Sequence, residues 1–271
     1  HWMDPLQTPP LRFRTKLFLA FGLAAIFCCN LLLYAPLFSP NERPYRGSIA
    51  PGYAGITRFI TEHPNPWGWN PQQYAGQPTQ FSYPPLVPYT AATIHWLSGM
   101  EPFQAYRSLI ALFACLGPVA LAATFYYFTR NLFWALLLGF SYSFASPVYG
   151  LFPSIDADRG LYYLPWRLLV LMKYGEGPHV AGLTLLPLIL AAVHRCTQRT
   201  GFAPLLVAAA AMALAPLTNW LCAFALTIAI LVYLLCRPQA FRPIISAGLL
   251  GSTLISAEAI AARGTATPVV T

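Results

Sequence analysis

Hydrophobic residues in this chain gather into long blocks rather than alternating or forming narrow stripes. The blocks lie at about 17–38, 84–99, 104–128, 131–149, 180–195, 202–217, 220–236 and 243–262. Nearly charge-free runs of this length predict membrane helices rather than the half-polar helices of a soluble domain. Two polar interruptions stand out, at 39–83 and 150–178. The first ends in HPNPWGWNPQQYAGQPTQFSYPPL, rich in Trp, Pro, Gly and Gln, and function is expected in a loop this long between membrane helices.

Basic residues orient the pattern. Arg12, Arg14 and Lys16 precede the first block, which lacks a small-residue cleavage site, so it reads as an uncleaved helix leaving a cytoplasmic N-terminus. Arg130 after the third block, and Arg195 with Arg199 after the fifth, also belong in the cytoplasm by the charge rule, which fails if every block crosses. The block at 84–99 is the exception. Pro84, Pro85 and Pro88 delay a regular helix to about Tyr89, leaving roughly 16 Å of helix against a core of about 30 Å. Tyr89, His95 and Trp96 suit a helix lying in the interface. The first outer loop then extends over 39–102, about seven helices span, and 150–178 becomes a second loop on the same outer face. Pro216, Thr218, Asn219 and Trp220 mark a tight outward turn between two short helices.

Composition agrees with this picture: 57% of residues are hydrophobic and 9% charged, and mean hydropathy is +0.54. The fold class is an all-α integral membrane helix bundle, a single unit over 1–271. The net charge of +8 sits at helix flanks, where it meets anionic membrane lipid, and no basic stretch interleaved with aromatics argues for nucleic acid. The six cysteines fall in or beside apolar blocks without C-x-x-C spacing, giving neither a disulfide framework nor a metal motif.

A first helix followed by a long outer loop with W-x-P-x-x-Y-x-G-x-P, then P-P-L before a short helix ending in Gly, resembles the GT-C superfamily of membrane glycosyltransferases. The positions are Trp69, Pro71, Tyr74, Gly76, Pro78, Pro84, Pro85, Leu86 and Gly99. The chain is most similar to bacterial multi-span proteins grouped as 6-pyruvoyl-tetrahydropterin-synthase-related, a label that carries no pterin chemistry here. The resemblance implies a bacterial inner membrane and a polyprenyl-phosphate-linked sugar as donor, its glycosyl group transferred at the periplasmic face.

Such a reaction needs a carboxylate for the acceptor hydroxyl, cations or a metal for the lipid-phosphate leaving group, and flat aromatic faces for sugar rings. Related enzymes carry an acid early in the first outer loop, where this chain has SIAPGYAGITRF with none; Glu42 and Glu62 are the loop's acids. The expected catalytic residues therefore move to the second loop: Asp158 first, then Asp156 and Glu176, with a salt bridge to Arg159 or a helix cap as the competing role for Asp158. Arg159, Arg167 and Lys173 are candidate phosphate contacts, with interfacial snorkelling as the alternative for Arg167 and Lys173. Trp67, Trp69 and Tyr74 are candidate sugar platforms. Gly175, Gly177 and Pro178 predict a tight turn holding Glu176 and His179 together as an acid/base pair or, with Asp156 or Asp158, as ligands of a divalent metal.

The competing function class is a transporter or lipid-binding membrane protein without catalysis. No internal repeat is visible, and ionisable residues are expected at helix ends or in loops, which favours a site at the outer face. The non-Met start and the tail EAIAARGTATPVVT lead to the expectation of either a fragment or an altered reading frame at the end of the chain.

Overall fold

A computed structural model describes residues 13–39, 48–65, 69–71, 76–78, 83–158, 164–199 and 201–263. Apart from a two-residue ribbon, its regular elements are helices. In chain order these are α1 (Phe13–Tyr34), α2 (Ala50–Glu62), β1 (Trp69–Asn70), β2 (Gln77–Pro78), α3 (Leu86–Ser98), α4 (Pro102–Thr129), α5 (Leu132–Phe144), α6 (Val148–Leu151), α7 (Pro153–Asp158), α8 (Trp166–Leu169), α9 (Gly177–Gln198), α10 (Phe202–Thr218), α11 (Trp220–Cys236) and α12 (Phe241–Arg263).

Three stretches are long and apolar enough to cross a bilayer: Phe13–Phe38, Pro102–Thr129 and Gly177–Gln198. Helices of this kind belong to a membrane protein. α10 and α11 are apolar but have 17 residues each, and α5 has 13. The expected block at 131–149 is thus not one spanning helix. Ala145 turns extended ahead of Pro147, leaving α5 about 20 Å long, short of a core of about 30 Å. Outward faces are apolar, as on α11, where Phe224, Ile228, Leu231 and Leu235 are all exposed.

α4 is the hub, packed against α1, α2, α3, α5 and α9. Its buried face carries Ala105, Ala111, Ala114, Cys115, Gly117, Ala120 and Ala122, small residues that let neighbouring backbones approach. Buried polar pairs fix the neighbours: Asn30 on α1 donates to Ser143 on α5 at 2.8 Å, and Thr184 on α9 donates to the Phe113 carbonyl on α4 at 2.8 Å. Inside apolar surroundings such bonds have few competitors.

Two expectations about the polar stretches change. The acid-free segment of the first loop is the amphipathic helix α2, whose Ala54, Ile56, Phe59 and Ile60 pack inward while Arg58 and Glu62 pair at the surface. The second loop is not irregular either, since α6, α7, α8 and a π-helix, Val170–Tyr174, occupy most of its described residues. α3 begins at Leu86 rather than near Tyr89, because Pro88 falls in its first turn, where a missing N–H costs nothing. α10 runs through Pro216 and breaks at Asn219, whose side chain caps α11 by accepting from the Leu221 amide at 2.8 Å.

Gly139 tests the α1–α4–α5 contact. A Cβ there would stand 2.6 Å from Ile26 Cδ1 and 3.2 Å from the Pro118 carbonyl. Gly139→Ala should destabilise by about 1–3 kcal/mol through overpacking, read as a lower unfolding temperature in detergent; an unchanged temperature would mean that the helices are not this close.

Candidate functional site

The site originates in a defect of α4. Pro118 has no amide hydrogen, so the carbonyl of Ala114, four residues earlier, loses its helical donor. Inside an apolar bundle an orphan carbonyl costs several kcal/mol. Arg167 fills the gap: its Nη2 donates to the Ala114 oxygen at 3.0 Å. The guanidinium also lies over the ring of Tyr142 at 4.3 Å, within cation–π range. Gly117 makes room, since a Cβ there would come within 2.7 Å of Nη2 and 3.0 Å of Thr184 Oγ1.

Ala114 lies near the middle of α4, about 18 Å from its start. Arg167 was expected to sit in a loop or snorkel outward; instead it reaches into the bundle. Its Nη1 is buried and has no hydrogen-bond partner among the described residues.

Arg167 lines a cavity of about 530 Å³ with Trp166, Tyr174, Glu176, His179 and Leu183 among its walls. The chain builds this wall in three steps. Pro165 starts α8, a π-helix carries the chain from Val170 to Tyr174, and Gly175 ends it in the left-handed region at φ 79°. π-helical turns of this kind are frequent at functional sites. A side chain at Gly175 would run into Ser48 and the Ala50 backbone. Glu176 then stands at the N-terminal boundary of α9 without capping it, and it makes no ion pair with any described residue. The expected turn holding Glu176 and His179 at one helix entry is present, and both side chains face the same cavity.

The two polar stretches meet at this turn. The Ile49 amide donates to the Tyr174 carbonyl at 3.0 Å, tying the start of α2 to the end of the π-helix. Beside it Tyr83 packs on Tyr53 at 4.7 Å and accepts from Asn219 at 2.8 Å. Burial pushes the Tyr83 phenol above its ordinary range, partly offset by its hydrogen bonds to Tyr53 and Asn219, so it stays protonated near neutral pH.

Other candidates fall elsewhere. Asp156 lies on α7 and Lys173 on the π-helix, its ammonium 5.9 Å from the Tyr174 ring centre; neither lines the cavity. Trp69 is on β1, paired with Pro78 and exposed, its indole lying over Gly76 rather than in the cavity. Trp67, Tyr74, Arg159 and the side chain of Asp158 lie outside the described residues. Among the described residues no three His, Cys, Asp or Glu side chains gather as a metal set. Tyr142, Trp166, Tyr174 and Leu221 were not anticipated. Pro118 inside an apolar block was the available signal for a freed carbonyl needing a donor.

No family model, no curated protein and no solved structure matches this chain. The fold and site define a membrane helix bundle with a cation held inside it and a carboxylate and an imidazole lining the same cavity.

Gly117→Ala should displace Arg167 and lower stability by about 1.5–3 kcal/mol, the range for a charged hydrogen bond. In an Arg167→Ala background the same change should cost much less, because the conflict has been removed. Thermal unfolding of the four proteins gives this cycle; additive effects would place Arg167 away from Gly117.

Proposed function

We propose that this chain belongs to a membrane glycosyltransferase of the GT-C kind, which takes a polyprenyl-phosphate-linked sugar and transfers the sugar at the outer face of a bacterial inner membrane. In this reading the N-terminus is cytoplasmic, about seven helices span, and α3 lies in the interface within the 39–102 loop. The observation that carries the proposal is Arg167 in the wall of an aromatic, apolar cavity that Glu176 and His179 also line. A cation that forms no ion pair with any described residue can take an anion, and an apolar wall suits a hydrocarbon tail.

The roles follow from position. Arg167 takes a phosphate oxygen of the donor through a charge-assisted bond and stabilises the charge that grows as the leaving group departs. Val170, Leu183 and Leu221 accommodate the first isoprene units, and Trp166 and Tyr174 offer faces to the sugar. The acceptor oxygen attacks the anomeric carbon, the bond from that carbon to the phosphate oxygen breaks, and the acceptor proton passes to Glu176. Among the acids whose side chains are described, Glu176 lines the cavity and is assigned as the base, with Asp158 kept as a candidate. His179 is placed to share that proton or to bind the acceptor.

One observation favours the second reading, a lipid-phosphate binder or transporter without transfer. Arg167 reaches mid-helix depth, so the placement of ionisable residues no longer argues against a path through the bundle.

Membranes carrying the protein, given radiolabelled polyprenyl-phosphate sugars, separate the two. Transfer should occur and should fall at least about 100-fold in Glu176→Gln, while Arg167→Lys should lose less than Arg167→Leu because the point charge survives without the planar fork. Donor retention without transfer would support the binder. Equal transfer by wild type and all three variants would remove the assigned roles.

A further inference from the structure

Two wall segments of the cavity are tied to one helix that does not line it. At the start of α2 the Ile49 amide donates to the Tyr174 carbonyl at 3.0 Å, and Gly175 lies so close that a Cβ there would stand 2.5 Å from the Ala50 nitrogen. One turn along α2, Tyr53 packs on Tyr83 with ring centres 4.7 Å apart. Tyr83 accepts from Asn219 Nδ2 at 2.8 Å, and Asn219 Oδ1 accepts from the Leu221 amide at 2.8 Å. Tyr174 and Leu221, the two ends of this path, both line the cavity; Ile49, Tyr53, Tyr83 and Asn219 do not.

Asn219 is the joint of this path. It is buried, with both polar atoms of its amide group occupied. α9 leaves it little room, since a Cβ at Gly182 would stand 2.7 Å from Cys222 Cβ and 3.6 Å from Asn219 Cβ, and the Cys222 thiol donates to the Gly182 carbonyl at 3.3 Å. α9 and α11 thus meet tightly beside Leu183 and Leu221, the apolar wall residues that they carry. Capping α11 needs only the Oδ1 bond, which a serine also supplies. The Nδ2 bond is additional, and it ties α11 to a residue 136 positions earlier in the chain.

We propose that Tyr83 and Asn219 form a brace that positions Leu221 relative to the 174–176 turn, so that the first polar stretch sets how the cavity fits a hydrocarbon chain without touching that chain. This rests on the reading of the cavity as the seat of a polyprenyl chain. Both residues are positioning residues, acting through Leu221, and a site loses precision when its supporting hydrogen bonds are removed. Arg167 is anchored separately, by the Ala114 carbonyl. The two contributions to donor binding are therefore separable: Arg167 answers to the phosphate, and Tyr83 with Asn219 answers to the hydrocarbon.

The test is binding to purified protein in lipid nanodiscs, followed by tryptophan fluorescence, with polyprenol and polyprenyl phosphate as separate probes. Tyr83→Phe keeps the ring against Tyr53 and removes the acceptor; Asn219→Ser keeps a cap on α11 and removes the donor. Each should weaken both probes alike, by about three- to tenfold, and the double variant should bind no worse than the weaker single variant. Arg167→Gln should instead weaken polyprenyl phosphate and spare polyprenol.

If Arg167→Gln behaves in this way while Tyr83→Phe and Asn219→Ser change neither affinity, the brace is wrong and the cavity reading stands. Additive losses in the double variant also overturn the brace, because the two residues would then act apart. Wild-type protein that binds neither probe removes the cavity reading and the brace with it. Should the variants fail to fold, hydrogen exchange on the wild type serves instead. Filling the cavity with polyprenol should slow exchange at residues 49–53, which do not line it; unchanged exchange there overturns the proposal.

Discussion

An unpaired backbone carbonyl inside a helix bundle organises the interior of this protein. Pro118 denies the Ala114 oxygen its helical donor, and the low-dielectric surroundings make that vacancy expensive. Arg167 donates into it from a different part of the chain. The bond joins the second polar stretch to the middle of α4, just ahead of the π-helix and the entry of α9. Without it, there would be no reason for a guanidinium to leave water and lie over Tyr142 at mid-helix depth.

The same interaction explains why the cation is both held and unfinished. One arm of the guanidinium is committed to the protein, and the other is buried with no hydrogen-bond partner among the described residues. A buried charge is tolerated when packing and partial hydrogen bonding hold it in place, and it becomes favourable when an anion completes the set. Glu176 does not complete it internally, since it forms no ion pair with any described residue. A cation and a carboxylate thus line one cavity without forming an ion pair.

Much of this was legible in the sequence. The helical blocks, the break at Asn219 and the turn at Gly175–Pro178 that sets Glu176 and His179 at one helix entry all follow from local residue chemistry, which periodicity and turn residues report directly. α2 was not legible, because Pro51, Gly52 and Gly55 disguise a helix held by Ile56, Phe59 and Ile60 packing inward. The inward reach of Arg167 was hidden for another reason. It depends on a contact between residues 53 apart, and no local pattern encodes which freed carbonyl a long side chain will find. Asp156, attractive by sequence neighbourhood, sits on α7 away from the cavity for the same reason.

The central claim is that the guanidinium of Arg167 is the phosphate contact inside the bundle. Solid-state NMR on protein in bilayers, with ¹⁵N-labelled arginine and bound polyprenyl phosphate, measures it directly through the nitrogen–phosphorus dipolar coupling. A coupling strong enough for direct contact, present in the wild type and absent from Arg167→Gln, is the predicted result. A coupling that persists unchanged in Arg167→Gln, or none at saturating ligand, would contradict it.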